Sequence, residues 1–87
     1  MSVRQKLRQA MSDPDNWVIR CEYRDRRGFT TSRVISPIRF IGGDRVAALC
    51  LGREAPRQFL LSQIRAVELV PASDVQMPEP IEEIETK

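Results

Sequence analysis

The sequence predicts a mainly β domain in which one short helix precedes five short strands. Three observations predict it. Between residues 17 and 70, apolar and β-branched residues form short runs, some with a strict two-residue alternation. Glycine and proline turn signals at Gly28, Gly42-Gly43 and Pro56 separate those runs. The length of 87 residues allows a single domain with a modest core.

A helix is predicted from Ser2 to about Ser12. Apolar residues recur at i, i+4, i+7 and i+8 from Val3 to Met11, which gives one apolar stripe. Ser2 and Gln5 have the spacing of a capping box, and Pro14 predicts the end of the helix. A helix this short is not stable alone, so we expect it to dock on the strands or on another subunit.

The first strand is predicted over Trp17–Arg24, where every second residue from Trp17 to Tyr23 is aromatic or apolar. A polar turn ending in Gly28 predicts a hairpin into a second strand, from Phe29 to about Ile35. Pro37 cannot donate a ladder hydrogen bond, so it predicts a strand end, an edge or a bend.

Three further strands are predicted at residues 45–51, 57–61 and 65–70. The break at residues 62–64 predicts one 3₁₀ turn. One helix followed by five short strands and tight turns favours a small SH3- or Sm-like five-stranded barrel over residues 1–70.

Residues 71–87 are predicted to form an acidic, largely disordered tail, because prolines interrupt it and glutamates crowd its end. Ile81 and Ile84 are three residues apart, which leaves open a short amphipathic turn that binds a partner.

The composition argues against an enzyme, a metal site and a membrane span. The chain has no histidine, the commonest catalytic base and nitrogen ligand. Cys21 and Cys50 lie far apart without a CxxC motif, which predicts small buried hydrophobes in a reducing cytoplasm. No apolar run approaches the roughly 18 residues of a transmembrane helix, and no signal peptide is evident. We therefore expect a cytoplasmic, non-enzymatic protein that needs no cofactor.

Charge is segregated along the chain. Residues 1–65 carry 13 basic and 6 acidic side chains, a balance of +7, whereas residues 66–87 have a balance of −5. Twelve of the 14 basic residues are arginine, whose planar guanidinium grips carboxylate or phosphate with two bonds. A GC-rich genome would also produce an arginine bias, but it would not separate the two signs of charge.

Several elements resemble the WYL domain of bacterial transcription regulators: the strand ending in Tyr23, Arg33 followed by Pro37, the strand reaching Cys50, and Arg57-Gln58-Phe59 followed by Ile64. The resemblance covers roughly residues 17–70, with Asp44-Arg45-Val46 in place of the name-giving tripeptide. It implies an Sm-like barrel that senses ligands, including nucleic acids or nucleotides, through polar and basic residues. Only 16 residues precede the first strand, so we expect a stand-alone sensor without the family's usual DNA-binding domain.

Six residues are predicted for the ligand face: Tyr23, Arg26, Arg27, Arg33, Arg45 and Arg57. Tyr23, Arg33 and Arg57 match polar or basic positions of the family pattern. Each has a structural alternative, since Tyr23 is in phase with the core and the arginines are also typical of solvated strands and turns. Trp17 and Phe59 are expected in the core rather than as stacking platforms.

We therefore predict a regulatory module that binds a polyanion, either single-stranded nucleic acid or a nucleotide. We do not expect a membrane among its partners. The alternative is a protein-interaction module that assembles with itself or with a larger regulator through strand edges and the helix. In either case the acidic tail is placed to occupy the basic face within the same chain.

Overall fold

The computed structural model describes residues 1–51 and 56–75, and its architecture is mainly β. The elements are α1 (Val3–Ser12), β1 (Trp17–Arg24), β2 (Thr30–Ile41), β3 (Arg45–Cys50), β4 (Pro56–Leu60) and β5 (Ile64–Pro71). Single 3₁₀ turns follow β4 at Leu61–Gln63 and β5 at Ala72–Asp74. The five strands form one antiparallel sheet in the order β4-β3-β2-β1-β5, which confirms the predicted fold class.

Helix α1 begins and docks as its sequence predicts. The Ser2 hydroxyl accepts the Gln5 N–H, and the Gln5 side chain accepts the Ser2 N–H, so the capping box is complete. Leu7 and Ala10 are fully buried against the sheet. Two residues of the apolar stripe, Leu7 and Ala10, are therefore buried within the chain, whereas Val3 at its start is exposed.

The core lies between α1 and one face of the curved sheet. In β1 to β4 it is built from residues in phase with a period of two: Ile19, Cys21, Ile35, Val46, Ala48, Cys50 and Phe59. In β5 the core residues Ile64 and Val67 are three apart, because the strand has one extra residue between them. Phe59 is buried and Trp17 packs partly buried against the same cluster, so both are core residues as expected.

Strand β2 is longer than predicted, because it continues through Pro37 to Ile41. Its pairing with β1 extends only to Ile35, so Pro37 lies where β2 pairs with β3 alone. The Val34 carbonyl accepts a bond from the Leu51 N–H on the β3 side, and the two-residue period turns the nitrogen of Pro37 the other way. Its missing N–H therefore breaks no ladder bond. A register shift between Pro37 and Arg39 bends the strand, so Pro37 marks a bend and not an end.

The two edges of the sheet meet at one end. β4 and β5 are the edge strands, yet only Leu61–Gln63 separates them in the chain. The sheet must therefore curl until these edges approach. The Leu60 N–H of β4 donates to the hydroxyl of Tyr23 in β1, at 3.2 Å, which bridges the seam. The strands thus form a strongly curved, barrel-like sheet, and the residues at this seam come from distant parts of the chain.

Regular structure continues past the predicted boundary at Val70. β5 includes Pro71, and the Ala72 N–H donates to the Asn16 carbonyl at 2.8 Å, which fixes the following 3₁₀ turn beside the start of β1. The rest of the predicted disordered tail, residues 76–87, lies outside the described residues, as does the turn predicted at residues 52–55. In the described ranges, no helix is both long and apolar enough to cross a bilayer.

Ala66 is the one described residue other than glycine with a positive φ, at 52°. It lies in a bulge where β5 has one more residue than β1, between the pairs Arg20↔Glu68 and Glu22↔Arg65. An L-residue with a Cβ is strained in this left-handed region by roughly 1 kcal/mol, whereas glycine is not.

We expect Ala66→Gly to leave stability unchanged or raise it by up to about 1 kcal/mol, although glycine normally weakens a strand. Ala66→Val should lower it by about 1–2 kcal/mol, because a β-branched side chain tolerates positive φ poorly. Urea denaturation followed by circular dichroism measures both. A glycine variant less stable than the valine variant would contradict the strained bulge.

A candidate arginine-lined ligand site

A concavity of about 580 Å³ opens at the seam of the curved sheet. Ten residues line it: Tyr23, Arg24, Asp25, Arg26, Arg27, Arg45, Arg57, Gln58, Leu60 and Gln63. We call it the arginine cleft, because five of these residues are arginine and one is acidic. One wall is the end of β1 with its hairpin turn, and the other is formed by β3, β4 and the 3₁₀ turn.

The hairpin wall is held rigidly by its own hydrogen bonds. One Asp25 carboxylate oxygen accepts the N–H groups of Arg27, at 2.9 Å, and Phe29, at 3.0 Å. The Gly28 N–H donates to the Asp25 carbonyl at 3.0 Å, and Gly28 adopts a φ of +88°, which favours glycine. Of the cleft residues that the structure describes, the one carboxylate therefore serves the turn from which Arg26 and Arg27 project.

The opposite wall presents two arginines and an amide from neighbouring strands. Arg45 on β3 donates from Nη1 to the Oε1 of Gln58 at 3.2 Å. The guanidinium of Arg57 lies 5.9 Å from the centre of the Phe59 ring, within the range of a cation–π contact. Both arginines are exposed, so their remaining donors can reach a ligand in the cleft.

In the part of the chain that the structure describes, no carboxylate forms an ion pair with an arginine of the cleft. Among the described residues, the one ion pair joins Arg20 and Glu68 at 3.5 Å, outside the cleft. Five guanidinium groups therefore face a single carboxylate across a concave surface. Such a surface attracts anions, and a concave shape strengthens the local potential.

An aromatic pair, Tyr23 and Phe59, lies next to the cleft, and Tyr23 also lines it. The rings of Tyr23 and Phe59 meet edge to face, with their centres 5.0 Å apart. Arg33 lies over both rings at 5.8 and 5.9 Å, and its Nε donates to the Thr31 hydroxyl at 3.1 Å. Its Nη1 also lies 3.7 Å from the sulfur of Cys50. Arg33 is thus half-buried by contacts within the chain.

The structure brings together five of the six residues predicted for the ligand face. Tyr23, Arg26, Arg27, Arg45 and Arg57 all line the cleft, whereas Arg33 does not. Tyr23 has the position that its structural alternative predicts, since its ring packs on the core and its hydroxyl lies at the rim. Their binding role stays a prediction.

Sequence reasoning missed five cleft residues: Arg24, Asp25, Gln58, Leu60 and Gln63. Arg24 and Asp25 could have been included because they lie between Tyr23 and Arg26 in the chain. The other three come from β4 and the 3₁₀ turn, and no pattern in the sequence shows that this segment crosses to the end of β1.

Both cysteines are buried, as the sequence predicts. Burial, with a further contribution from Cys50, raises the pKa of the Cys21 thiol to about 11. Cys21 is therefore a neutral thiol at physiological pH, and both cysteines are free and buried. Within residues 1–51 and 56–75, no group of three or more histidine, cysteine, aspartate or glutamate side chains is placed to hold a metal ion.

The Tyr23 hydroxyl should contribute measurably to closing the seam. Tyr23→Phe removes the acceptor of the Leu60 N–H and leaves that donor on an edge strand. We expect a loss of about 1 kcal/mol in unfolding free energy, with the core otherwise intact. Hydrogen exchange of the Leu60 amide should quicken more than that of Val46, whose pairing with Phe59 is untouched. Equal exchange in variant and parent would contradict the bridge.

Comparison with known proteins places this architecture in a family context. A family model described as WYL domain matches residues 3–69 of the chain. No curated protein and no solved structure matched it.

Proposed function

The chain belongs to the WYL domain family, and we propose that it binds a polyanion, single-stranded nucleic acid or a nucleotide, through the arginine cleft. Family membership indicates a regulatory, ligand-sensing module, a class that is not typically catalytic. The proposal includes a role for this module in bacterial transcription regulation, in the cytoplasm. The proposed polyanion binding is carried by one observation, the convergence of five arginines on one concave surface.

The arrangement of arginines in the cleft favours a ligand with several phosphate groups over an anion that carries a single charge. Arginines stand on both walls, so an extended ligand with several negative groups satisfies more of them than a compact one. A volume of about 580 Å³ is within the range of small-ligand pockets and suits one nucleotide or a few linked ones. The ring of Tyr23 is engaged by Phe59 and Arg33, so phosphate contacts should dominate over base stacking.

Titration of a labelled single-stranded oligonucleotide of about 12 nucleotides, followed by fluorescence anisotropy, tests the proposal. If five arginines contact phosphates, affinity should fall about 100-fold between about 50 and 200 mM salt. A mononucleotide serves as a second probe and separates a nucleotide sensor from a nucleic-acid binder. Absence of binding of both probes at low salt, or binding that salt does not weaken, would overturn the proposal.

The alternative, a protein-interaction module, has less support from the fold. Its main sequence argument was the apolar stripe of the helix, and Leu7 and Ala10 of that stripe are buried in the chain's own core. The edge of β4 that does not pair with β3 is also partly blocked against pairing with another strand. The Tyr23 hydroxyl accepts the Leu60 N–H, and Pro56 has no N–H to donate.

A further inference from the structure

We propose that the arginine cleft docks the acidic segment at residues 81–85 of the same chain, so that a polyanion must displace it. The inference rests on the proposed function and concerns the regulation of the same site. Residues 76–87 contain four glutamates and one lysine, opposite in sign to the cleft. The described chain ends at Val75, so docking requires that the glutamates reach the cleft from there.

The starting point of this segment is fixed relative to the cleft. Pro71 pairs with Trp17, and the Ala72 N–H donates to the Asn16 carbonyl at 2.8 Å. The segment therefore leaves the fold beside the first residue of β1. The cleft lies at the other end of the same strand, at Tyr23 and Arg24. Seven residue steps of strand at about 3.3 Å separate the two ends by ~23 Å.

This distance divides the glutamates into two sets. An extended chain spans at most about 3.5 Å per residue, so Glu79, four residues after Val75, reaches ~14 Å. Glu82 and Glu83 reach ~25 and ~28 Å, and Glu85 reaches ~35 Å. Counted along the backbone, Glu79 therefore stops ~9 Å before Tyr23 and Arg24, whereas the other three pass them.

The cleft offers matching contacts for such a segment. Five arginines provide paired donors for carboxylates, and only the turn-bonded Asp25 opposes them. Leu60 lines the cleft with 38% of its surface exposed, an apolar contact for Ile81 or Ile84. An acidic segment interrupted by isoleucines thus fits the cleft better than a purely polar one would.

Tethering makes even a weak contact effective. A short link holds the segment at an effective concentration of about 1 mM. If the free segment binds with a Kd of about 0.2 mM, docking would lower the affinity for an external polyanion about sixfold. Raised salt should weaken both the docking of the acidic segment and the binding of an external polyanion.

The test uses the full chain with one negative charge removed at either of two positions. Glu83→Gln removes a charge whose backbone position reaches the cleft, and Glu79→Gln removes one whose backbone position stops short of it. Both variants change the net charge by the same amount. A triple variant, Glu82→Gln with Glu83→Gln and Glu85→Gln, gives the full effect. Oligonucleotide affinity is measured for each at about 50 mM salt. In parallel, amide NMR spectra without any ligand follow Arg26, Arg27 and Gln58.

We expect the triple variant to bind about sixfold more tightly, and Glu83→Gln to exceed Glu79→Gln. The cleft amides should shift in the triple variant and not in Glu79→Gln. Equal effects of Glu79→Gln and Glu83→Gln, together with unchanged cleft amides, would overturn the docking while leaving polyanion binding intact. If no variant binds the oligonucleotide, the NMR shifts alone decide, since they test the docking without the proposed ligand.

Discussion

An Arg45→Gln/Arg57→Gln double variant should bind a single-stranded oligonucleotide about 50-fold more weakly than the parent at about 50 mM salt. These two arginines form the β3–β4 wall of the cleft, and glutamine keeps most of their bulk while removing the charge. Two lost phosphate contacts should also reduce the slope of log affinity against log salt by about 1.4. Fluorescence anisotropy over a range of salt concentrations measures both quantities.

The matched control removes two charges elsewhere. Arg8 and Arg39 are exposed and do not line the cleft, so Arg8→Gln/Arg39→Gln changes the net charge by the same amount. We expect a loss of less than about threefold from this pair, because the long-range field weakens over a Debye length of about 14 Å at about 50 mM salt. Equal losses from the two pairs would show that binding depends on net charge and would contradict a defined site. Thermal denaturation should change little in either variant, as all four side chains are exposed.

Much of the fold could be predicted because its signals are local. The alternation in Trp17–Arg24 and the capping box of α1 each depend on residues a few positions apart, and both are confirmed. The continuation of β2 through Pro37 could not be predicted. It depends on where β1 stops pairing, which is a property of the whole sheet.

The candidate site shows the same division. Arg26 and Arg27 are adjacent on one turn, so their proximity is evident from the sequence. Their convergence with Arg45 and Arg57 requires the sheet edges to meet, which the Tyr23–Leu60 hydrogen bond reveals and no spacing in the sequence does. Arg33 illustrates the converse. It is in phase with the core residue Ile35 of β2 and pairs with Cys21, so it lies over aromatic rings instead of in the cleft.

Leu7→Ala should lower the stability of the fold more than either Ala66→Val or Tyr23→Phe. Leu7 is fully buried between α1 and the sheet, and truncating a buried leucine to alanine typically lowers stability by about 2–5 kcal/mol. In a domain of this size that corresponds to a fall of roughly 15 °C in Tm. Chemical denaturation monitored by circular dichroism gives the free energy, and it remains measurable if the thermal transition becomes broad.

The control comes from the same helix. Val3 is 39% exposed, so Val3→Ala should change stability by less than about 0.5 kcal/mol. A loss below about 1 kcal/mol for Leu7→Ala would mean that α1 does not dock on the sheet in solution. The oligonucleotide affinity of the folded Leu7→Ala protein provides the second readout. It should match the parent, because the helix packs on β1, β2 and β5 and contributes no residue to the cleft. A variant that lost both stability and affinity in its folded fraction would show that the helix supports the cleft, against this division of roles.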